Sequence, residues 1–198
     1  MSIYALKPRF QALLRPLVRV LAAAGVTANQ VTVLAALGSL VVGFLIFEKN
    51  VFVLLPAWFF IRMALNAIDG MLAREHKQAS KLGGYLNELG DVISDAALYA
   101  PFAFLPGSSG ALVAAVIVLS AISEMAGVLG VVVGAGRRYD GPMGKSDRAF
   151  IFGLLGLLVG LGVSVFAVLD WIWIALIVLV AITVVNRVRN GLTEARRP

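Results

Sequence analysis

NAIDGMLAREHKQASKLGGYLNELGDVISD, residues Asn66 to Asp95, sets Asp and Asn side chains at helical spacing inside segments apolar enough to cross a membrane. Carboxylates are costly in hydrocarbon, so a chain keeps them there for a task or for a partner. Just upstream, Arg62, Asn66, Asp69 and Ala73 follow i, i+4, i+7, i+11 and share one helix face. After a short polar stretch, Gly83, Asn87, Asp91 and Asp95 recur every four residues and form a second stripe. The short connection predicts antiparallel neighbours whose stripes face each other. Gly70, Gly83 and Gly84 remove side-chain bulk beside the acids, which leaves room for backbone or a ligand. Oxygen ligands on two helices, with an Arg74 nearby, suit a Mg²⁺ ion that bridges to a diphosphate.

The rest of the 198 residues supplies the membrane context: 60% are hydrophobic, 14% charged, and the mean hydropathy is +0.93. A soluble domain carries about 25% charged residues, so the composition predicts an integral membrane protein. There is no cysteine, which excludes disulfides and thiolate chemistry. The net charge of +6 sits beside the apolar spans, where it reads as a membrane-surface and topology signal and not as a nucleic-acid footprint.

Lys7, Arg9, Arg15 and Arg19 interrupt the N-terminus and leave no apolar core of signal-peptide length. Ile3, Leu6, Phe10, Leu13, Leu14 and Leu17 recur at helical spacing, while Lys7, Gln11 and Arg15 line another face. That pattern predicts an amphipathic interfacial helix within residues 1–25. Six apolar segments follow, at Val31–Phe47, Val51–Ala73, Leu82–Pro106, Ala111–Gly136, Ala149–Ser164 and Ala167–Val185. The expected fold is therefore an all-α integral membrane protein: one domain over 1–198, with six transmembrane helices (bundle 31–190) preceded by the interfacial helix. Fifteen of the 17 Lys and Arg residues fall in the N-terminal region, the loops 74–81 and 137–148, and the C-terminus. Lys49 lies opposite and Arg62 within a span. The positive-inside rule then puts both termini and these loops on the cytoplasmic side of a multi-pass protein of the cell (inner) membrane.

The residues at this point resemble the CDP-alcohol phosphotransferase (CDP-alcohol phosphatidyltransferase) family. Its signature D-x2-DG-x2-AR-x8-G-x3-D-x3-D is matched without a gap by Asn66, Asp69-Gly70, Ala73-Arg74, Gly83, Asn87 and Asp91. Six of the eight letters are identical, and both departures are Asp to Asn. Thr27-Ala28-Asn29 and Gly144-Lys145 are similar to weaker family features. The resemblance implies that a CDP-linked donor, often CDP-diacylglycerol, passes its phosphoryl-alcohol part to a hydroxyl acceptor and releases CMP, in phospholipid biosynthesis. It implies Mg²⁺ or Mn²⁺, one or two ions, with Asn66, Asp69, Asn87 and Asp91 as metal residues and Asp91 also as catalytic base. Gly70, Ala73, Arg74 and Gly83 would contact the CDP moiety. The implied partners are the CDP-linked lipid, an alcohol acceptor, membrane lipids and a second copy in a homodimer.

Asn66 and Asn87 stand where the resembled family has acids, so Asp69 and Asp91 supply a charge of only −2. An Asn carbonyl still serves a hard cation, but without charge. A resting site with one ion, or with two only once the nucleotide adds charge, is the expectation. Glu88 lies about 100° round the helix from Asn87 and reads as a polar neighbour.

Asp95 reads differently. Arg62 precedes Arg74 by 12 residues, roughly 18 Å at 1.5 Å per residue. Asp95 follows Gly83 by 12, and Glu124 precedes Arg137 by 13, so all three reach a similar depth. That predicts a buried structural cluster in which Arg62 bridges Asp95 and Glu124.

In the loop RRYDGPMGKSDR, residues 137–148, the bases Arg137, Arg138, Lys145 and Arg148 are candidates for a phosphorylated acceptor or lipid headgroups. His76 reads as a solvated loop residue, and Asp170 as the cap of the last helix. Gly130-x3-Gly134 and Gly156-x3-Gly160 read as close helix packing. Against the enzyme stands a relative that binds CDP-lipid or lipid without efficient transfer, a sensor or scaffold, which the two Asn residues favour. An ion path is disfavoured because the acids cluster at one end of two helices.

Overall fold

The structure, a computed structural model, describes residues 7–196, and every regular element among them is helical. Seven α-helices run in order: α1 Lys7–Ala23, α2 Ala28–Lys49, α3 Leu54–Glu75, α4 Lys81–Tyr99, α5 Gly110–Val132, α6 Lys145–Gly160 and α7 Leu169–Ala195. Short 3₁₀ turns at Ala100–Phe104 and Phe166–Val168 close α4 and open α7. Side chains set the boundaries. Thr27 and Gln30 form a reciprocal capping box at the start of α2. Ser80 accepts from the Gly83 N–H at 2.9 Å and starts α4. Asn50 ends α2 in the left-handed region at φ 54°.

Three stretches are long and apolar enough to cross a membrane: Ala28–Lys49, Gly110–Val132 and Phe166–Ala195. α3 and α4 are long enough, but carry the charged stripes; α6 has 16 residues. Burial is inverted relative to a soluble protein. Arg62, Asp69, Asp95, Glu124, Arg148 and Arg187 are buried, whereas Leu34, Val41 and Phe44 of α2 and Val178 and Val185 of α7 are more than half exposed. Apolar outward faces of this extent on most helices mark a membrane protein.

α2 packs extensively against both α3 and α4, α3 also against α6, and α5 against α7. α3 and α4 approach each other far less closely, with α2 packed against both. The two stripes nevertheless face each other and meet through their side chains. An aromatic core fills one end of the bundle: Tyr99 stacks on Phe152 at 3.7 Å between centroids, and Phe102 and Trp173 complete it edge-on and stacked. The charged residues of α4 begin one turn before Tyr99, at Asp95, and continue to Asp91.

α1 lies on α3 through Leu14, Val18 and Leu21, against Ile68, Met71 and Leu72. Leu13 and Val20 point outward, at 75% and 65% exposure; Ile3 and Leu6 lie outside the described residues. The Arg15 guanidinium grips Glu75 with two bonds of 3.0 Å and holds that carboxyl below its ordinary value. Two readings of the turns change. Asp170 caps not its own helix but the start of α5, accepting from the Ser109 N–H at 2.7 Å. Gly156 and Gly160 let α6 lie against Phe52–Leu55, but Gly134 is a turn residue at φ +87° with open space where a Cβ would be.

Candidate active site

α3 and α4 meet through four side chains. Asn66 donates its amide N–H to Asp91 Oδ1 at 3.3 Å, and Arg62 Nη2 reaches the same oxygen at 3.2 Å. Arg62 Nη1 continues to Asp95 Oδ1 at 2.6 Å. The other Asp91 oxygen, Oδ2, pairs with the Lys145 ammonium from the first turn of α6. Asp69, three residues along α3 from Asn66, is buried and accepts from the Thr32 hydroxyl of α2 at 2.8 Å. Asn87 lies one turn before Asp91 and donates to Glu88 at 3.5 Å. Among the described residues no three acidic or histidine side chains converge as an all-protein metal cage. The donor set still fits a hard divalent cation: Asp69 and the carbonyl oxygens of Asn66 and Asn87 are all oxygen ligands, and water or phosphate completes such shells.

The nucleotide-side residues surround this pair. The Arg74 guanidinium folds over Gly70, with Nη2 2.9 Å from the point a Cβ would occupy there. Among the described residues Arg74 has no carboxylate partner within ion-pair distance. Gly83 faces Asn29 of α2, whose Oδ1 is 2.7 Å from a Cβ built there, so a side chain at 83 would have to displace the Asn29 amide. Gly84 by contrast leaves open space, with no atom within 4 Å of where its Cβ would lie. Ala73 is half-buried beside Arg74.

The deeper charges are arranged otherwise than their depth predicts. Arg62 reaches Asp95 but not Glu124. The bridge between those two acids is Arg148, through Nη2 to Asp95 Oδ2 at 3.3 Å and to Glu124 Oε1 at 3.0 Å. Arg148 has no exposed side-chain area and also donates to Ser123 Oγ and the Met143 carbonyl at 3.3 Å. It therefore cannot meet an acceptor at the surface. Arg187 of α7 joins the cluster at Glu124, 3.4 Å away, and at the Ser123 carbonyl.

The other bases expected to receive an acceptor also carry carboxylate partners. Arg137 pairs with Glu88, and with Glu124 at 3.6 Å. Arg138 donates twice to Asp140, at 2.7 Å each, holds that carboxyl below its ordinary value, and reaches Glu194. The loop is pinned further by the Met143 N–H on Thr183 Oγ1 at 3.0 Å and by Arg187 Nε on the Asp140 carbonyl at 3.3 Å. What looked like a free basic patch is a neutralised clamp between α5 and α7.

A family model described as CDP-alcohol phosphatidyltransferase matches residues 25–185. The chain belongs to the CDP-alcohol phosphatidyltransferase family. It is 46% identical over 195 residues, 97% of each chain, to the inner membrane protein YnbA of Escherichia coli (strain K12). It is 31% identical over 93 residues to the archaetidylinositol phosphate synthase of Pyrococcus horikoshii, covering 47% of this chain and 49% of that one. The fold is similar to that of Mycobacterium tuberculosis phosphatidylinositol phosphate synthase (PgsA1), solved with CDP-DAG bound: TM-score 0.75 at 24% identity, over 92% of this chain and 96% of that one. As a CDP-alcohol phosphatidyltransferase family member, the chain has its motif split between α3 and α4. Four contributors escaped the motif: Thr32 on Asp69, Asn29 at Gly83, Arg187 on Glu124, and the pairing of Lys145 with Asp91. Arg187 had a readable signal, since Trp173, Leu176, Val180, Thr183, Arg187 and Gly191 form one buried stripe at helical spacing.

Proposed function

We propose that this protein transfers the phosphoryl-alcohol part of a CDP-linked lipid, CDP-diacylglycerol in the first instance, to a hydroxyl acceptor with release of CMP. The observation that carries the reading is the Asp91 carboxylate beside Asn66, with Asp69 one turn along α3, in a chain of this family. Asp91 takes the acceptor hydroxyl proton. The freed oxygen bonds to the phosphorus that bears the lipid alcohol, and the bridging P–O bond breaks so that CMP leaves with its electron pair. Arg74, without a carboxylate partner of its own among the described residues, lies over Gly70 to meet the diphosphate, and Gly83 lets Asn29 of α2 close against the start of α4. Asp69, Asn66 and Asn87 would hold a Mg²⁺ or Mn²⁺ ion. When bound, it neutralises phosphate charge during transfer.

The membrane arrangement belongs to the same reading: six spans, α2 to α7, with α1 lying on the cytoplasmic surface through Leu13, Leu17 and Val20. It is supported by the outward apolar faces, by the three long apolar helices, and by the Lys and Arg distribution. Both termini and the Asp91 end of the bundle then face the cytoplasm.

Purified protein in lipid, given CDP-diacylglycerol, Mg²⁺ or Mn²⁺ and a panel of alcohols, is expected to release CMP, and Asp91→Asn to abolish the release. Nucleotide binding without turnover over the whole panel would refute the transferase reading.

A further inference from the structure

We infer that Lys145 is a built-in cation of the site: it occupies Asp91 in place of a divalent ion, so that the protein binds one exchangeable metal, on the Asp69 side. The inference rests on the transferase reading and extends it to the metal count. The two carboxylates of the motif have opposite surroundings. Asp91 is fully engaged: Oδ1 accepts from Arg62 and Asn66, and Oδ2 pairs with Lys145. Asp69 has a neutral partner, the Thr32 hydroxyl, and among the described residues no cation within ion-pair distance. Asp69 thus leaves a dication clear of any direct ion pair, with Lys145 acting on it only from beyond pairing distance, whereas at Asp91 Oδ2 the ion must displace an ammonium or sit against it.

Lys145 is also held in position. Arg148, three residues on along α6, is buried and fixed to Asp95, itself one turn beyond Asp91 on α4. Lys145–Asp91 and Arg148–Asp95 are thus two successive rungs between the same helices, and the deeper rung anchors the shallower one. The neutral side chains fit this division. With Asn at 66 and 87 the negative charge of the motif is −2, which Lys145 and one dication together already exceed, leaving no charge to hold a second ion. Lys145 here is a positioning residue, setting where the metal sits.

The test is the count of Mn²⁺ bound per chain, by electron paramagnetic resonance on detergent-purified protein with CDP present, for wild type, Lys145→Met and Lys145→Arg. One ion in wild type and Lys145→Arg, rising to two in Lys145→Met, supports the inference. Two ions in wild type, one in correctly folded Lys145→Met, or none in any form overturns it; the wild-type count stands even if Lys145→Met fails to fold. CMP release from the same preparations reports separately on the transferase reading, so loss of turnover with an unchanged metal count is not confused with a wrong count.

Discussion

Asp91 and Asp95 sit one turn apart on α4, and both are paired with Arg62 and with a base from α6. Their surroundings nevertheless diverge. Asp91 keeps 13% of its side-chain area exposed and faces Lys145, whose side chain is 28% exposed. Asp95 keeps 7% and faces Arg148, which is wholly enclosed and holds Glu124 with its other contacts. In the proposed reaction the shallow rung is the place where a proton is exchanged. The deep one is a fixed joint linking α3, α4, α5 and α6, with Arg187 tying in α7. A turn of helix separates chemistry from structure, and identical residue types serve both.

Substitutions should split the two rungs. Asp91→Asn is expected to lower CMP release by about 10²–10⁴-fold, the usual weight of a positioned base, while the melting temperature in detergent stays close to wild type. Arg148→Met leaves Asp95 and Glu124 short of a buried counter-charge, and about 3–5 kcal/mol of stability should go with it, read as early thermal unfolding. If Asp91→Asn unfolded the protein as readily as Arg148→Met, the distinction between the rungs would fail. Arg74→Ala removes a charged hydrogen-bond donor to the diphosphate, worth about 1.5–3 kcal/mol, so kcat/KM for the CDP donor should fall roughly 10–100-fold with stability unchanged.

A smaller effect belongs to the clamp. Asp140 is ionised more readily than an ordinary carboxylate because Arg138 donates to both its oxygens. A depressed folded value stabilises the fold above the ordinary carboxylate range and loses that contribution as pH falls through it. Wild type should thus melt above Asp140→Asn at neutral pH by no more than about 2–4 °C, with the gap closing as the pH drops toward and below 4. Smallest of all is Arg15→Ala: its exposed pair with Glu75 should shift melting little, and less still in high salt.

Much of this layout was readable in the residues, and the failures have definite causes. Helical spacing places Asn66 and Asp91 on facing stripes, because a period of 3.6 needs no tertiary knowledge. The break between α6 and α7, expected between Ser164 and Ala167, comes earlier: α6 ends at Gly160, and Gly162 turns the chain at φ +77°. Depth reckoning brought Arg62, Asp95 and Glu124 to one level, but depth carries no azimuth. Arg62 points at α4, and Glu124 at α6 and α7. Arg148 reads as a loop base because Lys145 and Asp147 precede it, yet α6 already starts at Lys145 and turns Arg148 inward. The loop folds back, burying Met143 and Arg148 together, and no local pattern announces that return. Arg137 and Arg138 looked free for the same reason: their partners Glu88, Glu124 and Glu194 are remote in sequence.

The division into three apolar helices and three that carry charge or fall short also constrains how the chain is made. In the six-span arrangement proposed above, α2 can leave the translocon alone. α3 brings Arg62 and α4 brings Asp91 and Asp95, so each presents to lipid a charge that the other cancels. Release as a hairpin, with α2 already in place to receive them, avoids that exposure. Asp95 and Glu124 nonetheless stay incompletely matched until α6 delivers Arg148 and α7 delivers Arg187. Synthesis of the last third of the protein thus completes the charge pairing begun in the first.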